Sequence, residues 1–163
     1  MRLKLILTCC LFLVLTPFVY SQKSAPKIKG NLSLQTDIIT QHWESRFYNE
    51  EPNLIALEYY NKKKDKFYGI SYFKNSFYQS SWYLYTGFIY PLYQKQKFSL
   101  RAKITYGIVH GYEEEDGKYT GFINRLGTFP AILPTIGINY NNFIIELIPL
   151  ANEGFMFTTG IRF

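Results

Sequence analysis

The chain has 163 residues, enough for one domain, with 15 Tyr and 14 Phe and a formal charge of +6. Aromatics at 19% of residues exceed what a water-soluble domain usually carries, and no stripe of Lys and Arg or recognised motif supports nucleic-acid binding. No segment after residue 21 has the roughly 18 apolar residues of a membrane helix, and a mature chain starting there would contain no cysteine, because Cys9 and Cys10 both precede that point.

The first 21 residues read as an export signal. Arg2 and Lys4 give a positive start, Leu5 to Val19 is apolar but too short to span a bilayer comfortably, and Val19-Tyr20-Ser21 offers a cleavage site before Gln22. Loss of Arg2 and Lys4 lowers the formal charge from +6 to +4. Residues 22–30 form a short N-terminal arm, and residues 31–163 are expected to form a transmembrane barrel.

An exported, helix-poor, aromatic-rich chain of short alternating segments predicts an all-β fold: an eight-stranded antiparallel up-and-down outer-membrane β-barrel, placed in the bacterial outer membrane. The strands are expected at about 31–42, 53–61, 66–76, 80–90, 97–110, 122–140 (long, with a break), 142–149 and 153–163. Turn signals fall at Asn61 to Asp65, Pro91 to Lys97 and Asn139 to Asn142. In the segment Phe98–Val109, Phe98, Leu100, Ala102, Ile104, Tyr106 and Ile108 share one face, while Ser99, Arg101, Lys103, Thr105 and Gly107 share the other. Two cations on a lipid-facing surface are costly, so that second face should point into the barrel. At the end of the chain Phe155, Phe157, Thr159, Ile161 and Phe163 alternate with Met156, Thr158, Gly160 and Arg162, and a final strand closing on Phe is similar to the C-terminal signature of bacterial outer-membrane barrels. For the third and fourth strands the facing is open, because both faces are apolar.

With the termini on the periplasmic side, odd-numbered strands run outward, and the first, third and fifth end at His42, Asn75-Ser76 and His110. All three reach the same outer rim. His42 and Ser76 are a candidate base with a nucleophile or polariser, since a hydroxyl at neutral pH needs a neighbouring base and imidazole is the natural one. Rim residues bonded to water or a loop are the plain alternative. The acidic run Glu113 to Asp116 after His110 matches no cation-loop spacing and reads as a solvated loop, so no metal is expected. Glu58, Arg101, Lys103, Glu146 and Arg162 fall on inward faces and predict an interior ionic network, which fits a barrel just wide enough to be filled by side chains and argues against a diffusion channel.

Several stretches resemble the outer-membrane lipid A palmitoyltransferases. "RFYNEEP", Arg46 to Pro52, resembles the segment that follows the family's catalytic His, with His42 as the matching imidazole. "FKNSF", Phe73 to Phe77, resembles the family's Phe-Lys-Asp-Ser-Trp motif, and "FPAILP" and "LIP", Phe129 to Pro134 and Leu147 to Pro149, resemble its later proline-containing strands. The resemblance runs from about residue 40 to the end. It implies an acyltransferase that moves a palmitoyl-like chain from phospholipid to lipid A without a cofactor, with His42, Asn75 and Ser76 catalytic. It further implies walls that part for lipid near Pro52, Pro134 and Pro149, and Arg46, Lys74 and Arg125 are the cations expected to hold lipid phosphates. The expected partners are phospholipid, lipid A and other outer-membrane lipids, with no nucleic acid, and the barrel is expected to be a monomer. Two departures stand out: Asn75 replaces the family's acid, so it can orient an imidazole but supplies no charge, and no counterpart exists for the family's leading amphipathic helix. The alternative is a non-catalytic barrel that binds lipid or braces the membrane.

Overall fold

The structure, a computed structural model, describes residues 31–43, 49–61, 66–113, 127–151 and 153–163. The proposed leader and arm, residues 1–30, lie outside them, as do Arg46 and Arg125. The described residues form β1 (Leu32–His42), β2 (Ile55–Asn61), β3 (Lys66–Lys74), β4 (Ser80–Lys95), β5 (Phe98–His110), β6 (Thr128–Tyr140), β7 (Phe143–Leu150) and β8 (Gly154–Arg162). Each strand pairs antiparallel with its sequence neighbours, and β1 pairs with β8 to close the barrel.

Alternation decides what each strand shows to either side. On β5, Ser99, Arg101, Lys103, Thr105 and Val109 are buried inside, while Ile104, Tyr106 and Ile108 are exposed outside. The same inversion runs round the barrel. The outer surface carries Leu34, Ile55, Ile70, Leu84, Ile138 and Ile145 in the open, and the buried set includes Gln35, Asp37, Glu58, Thr135, Glu146 and Thr158. The facing of β3 and β4, which the sequence left open, is fixed with Phe67, Gly69 and Ser71 of β3 and Ser81, Tyr83 and Tyr85 of β4 inside. Gly69 is what makes this possible: a Cβ there would lie 2.3 Å from the Tyr85 ring, which covers that strand and stacks on Tyr83 at 4.6 Å.

Strand boundaries differ from the sequence expectation in places: β3 stops at Lys74 and leaves Asn75-Ser76 in the turn, and β6 begins at Thr128, the expected 122–126 and residues 114–116 of the acidic run lying outside the described residues. The stretch Pro91 to Lys97, read as a turn, mostly continues β4 to Lys95, and the reversal is made by a tight turn with Gln96 at φ 49°. Proline is tolerated because the register shifts between Pro91 and Tyr93, and a bulge is where a residue without an N–H fits a ladder.

The lower half of the barrel, at the end carrying Asn31 and Phe163, is filled. Lys103 Nζ lies 2.7 Å from Glu58 Oε1 and 2.6 Å from Glu146 Oε2, and Arg101 Nη2 lies 2.6 Å from Glu146 Oε1. Gly137 leaves room for the last pair, since a Cβ there would come within 3.1 Å of Glu146 and 3.2 Å of Arg101. Phe67, Ile144 and Arg162 are buried with this cluster, and Lys103 sits 5.8 Å from the Phe67 ring centre. The expected interior ionic network is present.

Above it the wall is uneven. The β4–β5 and β5–β6 seams each hold thirteen paired positions. The β1–β2 seam stops at Thr36–Ile55 and the β6–β7 seam at Ile136–Leu147, after five pairs each. Two slits therefore open in the upper wall.

Candidate active site

Three strand ends meet at the upper rim. His42 closes β1, Lys74-Asn75-Ser76 leads out of β3, and His110 closes β5. A strict alternation that buries Ser33, Gln35 and Asp37 would send His42 outward. Ile38 prevents this: it is skipped in the pairing with β8, so Ile38 and Ile39 both face out and His42 returns to the inside.

The polar break in the aromatic β3–β4 hairpin is turn chemistry. Asn75 Oδ1 accepts the backbone N–H groups of Phe77 at 2.9 Å and Gln79 at 3.1 Å, an Asx turn. Its amide donates to Gln79 Oε1 at 3.0 Å and to the Gly111 carbonyl at 3.1 Å. The turn ends with Tyr78 at φ 63°. Asn75 is almost fully buried, and its side-chain hydrogen bonds all go to the loop that carries Ser76 and to the β5 terminus. An Asn75→Asp variant should therefore lose about 1–3 kcal/mol of stability. The carboxylate cannot donate to Gly111, and Gln79 must turn its amide over to meet it. Urea unfolding of the refolded barrel reads this directly as a lower midpoint.

That turn delivers Ser76 to the imidazole. His42 Nε2 and Ser76 Oγ are 2.9 Å apart. The segment before β2 locks the pair in place from the side. Asn49 donates its N–H to the Ser76 carbonyl at 2.8 Å, Lys74 donates its backbone N–H to Asn53 Oδ1, and Leu54 donates its N–H to Asp37 Oδ1 at 2.7 Å. In this stretch β1 is tied to the neighbouring chain by a carboxylate in place of a strand ladder. Glu50 also lies here: its Oε1 accepts the His42 backbone N–H at 3.0 Å and the Gln41 amide at 3.2 Å, and stands 3.5 Å from His42 Nδ1.

Below Ser76 lies a cavity of about 230 Å³. Asn49, Lys74, Asn75 and Ser76 line its mouth; Leu54, Phe73, Val109, Phe129, Leu133 and Met156 belong to its wall; Glu58, Lys103 and Glu146 of the ionic cluster form its floor. It exceeds the ~150 Å³ of an engineered apolar cavity that takes up benzene. Tyr112 stands at the mouth against Phe129, with ring centres 5.3 Å apart. Burial pushes its phenol up to about 12 from the usual value of 10. The neutral phenol is thus the form the fold holds, and its contribution to stability is complete below pH 10 and lost as the pH climbs through 12. An absorbance titration should show one late-ionising tyrosine fewer in Tyr112→Phe than in the parent.

The residues expected from sequence are distributed as follows. His42 and Ser76 are in contact, Asn75 shapes the loop between them, and Lys74 is exposed at the mouth. Pro52 is exposed in the segment beside the β1–β2 slit, Pro134 faces outward just above the last β6–β7 pair, and Pro149 is on β7 beside the same slit, still paired with Phe155 of β8. His110 sits apart from this group, its Nδ1 2.7 Å from Thr128 Oγ1 and its ring 5.3 Å from that of Trp82. Glu50, Asn49 and Tyr112 were not anticipated, although Asn49 and Glu50 stand inside the stretch Arg46 to Pro52. No protein-family model matches the chain, and no curated protein matches it.

Proposed function

We propose that this barrel sits in a bacterial outer membrane and transfers an acyl chain from a phospholipid to lipid A. The belt of exposed aliphatic and aromatic side chains around a polar, ionic interior supports a lipid-embedded cylinder, the reverse of a soluble β-protein. The observation that carries the activity is the 2.9 Å contact of His42 Nε2 with Ser76 Oγ at the mouth of a largely apolar, blind cavity.

A phospholipid enters through either slit, where β2 and β7 leave their neighbours and Pro52, Pro134 and Pro149 supply no ladder hydrogen bond. One acyl chain descends into the cavity and its ester stays at the mouth. His42, with its proton on Nδ1, takes the Ser76 proton at Nε2 as Oγ attacks the ester carbonyl. The new Oγ–C bond forms, the ester C–O bond breaks, and His42 returns the proton to the departing lysophospholipid oxygen. A lipid A hydroxyl, deprotonated in turn by His42, attacks the acyl-serine; a new ester forms and Ser76 regains its proton. Lys74 at the mouth, with Arg46 and Arg125 beyond the described residues, supplies cations for lipid phosphates. The reaction uses no metal or cofactor.

The second reading, a non-catalytic lipid-binding or structural barrel, draws on Asn75, which gives the site no charge. Mass spectra of lipid A separate the two. Cells expressing the protein should show lipid A heavier by one acyl chain, and cells expressing Ser76→Ala should not. Unchanged lipid A with the parent protein would leave the binding reading standing, and acylation by Ser76→Ala would remove Ser76 from the mechanism.

A further inference from the structure

We infer that Glu50 is the carboxylate that orients His42 and stabilises its charged form, the role that the amide of Asn75 cannot fill. Among the described residues, Glu50 alone brings a carboxylate oxygen within 4.0 Å of an imidazole nitrogen of His42. The contact is on Nδ1, the nitrogen opposite the one that meets Ser76, so carboxylate, imidazole and hydroxyl stand in the order a proton relay needs.

Its position is fixed from two sides. Oε1 is held by the His42 backbone N–H and the Gln41 amide, so the carboxylate is anchored to β1 itself. One residue earlier, Asn49 is bonded to the Ser76 carbonyl, and its Oδ1 accepts the Glu51 N–H at 3.1 Å. Glu50 therefore tracks both members of the pair. A distance of 3.5 Å to Nδ1 is long for a resting hydrogen bond, and such contacts shorten when the ring becomes charged.

The other charged groups on the surrounding elements are otherwise placed. Asp37 on β1 accepts Leu54 N–H and Thr40 Oγ1. Glu51 and Lys74 line the cavity mouth, and Glu153 precedes β8, where its carbonyl accepts the Trp43 N–H. A carboxylate beside Nδ1 favours the proton there, leaves Nε2 as the acceptor for Ser76, and stabilises the imidazolium that forms once Nε2 is protonated. Glu50 is half in solvent, which moderates the effect and makes it sensitive to salt.

Only the kinetic readout rests on the acyl-transfer reading. The test is nitrogen-15 NMR of labelled imidazoles in detergent micelles, where the two ring-nitrogen signals report which nitrogen carries the proton, with His110 as internal control, alongside the rate of acyl transfer. In the parent the His42 proton should sit on Nδ1, and in Glu50→Gln that preference should be lost while the His110 signals stay in place. Transfer by Glu50→Gln should fall at least about tenfold, and Glu50→Asp should recover part of both. His42 signals identical in parent and Glu50→Gln would overturn the inference, whatever the parent does to lipid A. Changed His42 signals with no acylation by the parent would keep Glu50 and sink the acyl-transfer function. Should Glu50→Gln fail to refold, Glu50→Asp decides: His42 signals and transfer rate both unchanged from the parent overturn the role.

Discussion

His42→Ala should abolish the proposed acyl transfer while leaving the barrel folded. General-base catalysis by a positioned side chain contributes about 10²–10⁴-fold, and loss of the base from a serine relay also disarms the nucleophile, so a fall of at least ~10³ is expected. His42 sits at the end of β1, where its backbone pairs with Gly154, and that pairing does not depend on the imidazole. The variant should keep the heat-dependent gel mobility of a closed barrel, and initial rates on mixed micelles of phospholipid and lipid A check the chemistry. A variant retaining a tenth of the parent rate would show that the 2.9 Å contact with Ser76 is an ordinary rim hydrogen bond.

The second large effect is on stability. Glu146 is fully buried and takes one hydrogen bond from Arg101 and one from Lys103. Glu146→Ala leaves Arg101 buried without its carboxylate and strips Lys103 of one of its two. Removing one partner of a buried ion pair costs about 3–5 kcal/mol. At an m-value of about 2 kcal/mol per molar urea, that lowers the unfolding midpoint by roughly 2 M. Removing both partners, in Glu146→Leu with Arg101→Leu, should cost much less than the two single changes summed, because neither Glu146 nor Arg101 is then left buried without the other. A simple sum would show that the cluster acts only as filling.

Much of this fold is legible in the sequence because its pattern is inverted. Arg101 and Lys103 on one face of a strand with Ile104 and Ile108 on the other leave little choice about which side meets the interior, and the eight strand positions follow from the same alternation. It fails where both faces are aromatic: nothing in Phe67 to Tyr90 says which side is inside until Gly69 is seen to make room for the Tyr85 ring. It fails again at bulges, which add a residue without any change of composition. Pro91 reads as a turn and is a paired strand residue beside a bulge at Leu92, and counting from Ser33 sends His42 to the wrong side because Ile38 is one residue too many.

The candidate site was half legible. Counting strands brings His42 and Ser76 to one rim, and the structure closes the remaining gap to hydrogen-bond length. The motif Phe73 to Phe77 points to Asn75 as a member of the reacting set, and in the fold its side chain hydrogen-bonds within the turn and to Gly111. Restoring an acid there should accordingly bring no gain in transfer. Glu50 carries no signal at all in spacing, since it stands eight positions beyond His42 in the chain and only the folded path of residues 49–54 brings the two together.

The two slits cut the upper half of the cylinder into two leaves: β7, β8 and β1 on one side, and β2 to β6 on the other. His42 rides on the smaller leaf, while Glu50 and Ser76 ride with the larger, so the bonds between them are also a clasp across the cut. Any spreading of the leaves wide enough to pass a lipid would unfasten that clasp and part His42 from Ser76. Under the proposed acyl transfer, admission and reaction therefore take turns, and water that slips in through a parted wall meets a serine that is, for that moment, inert.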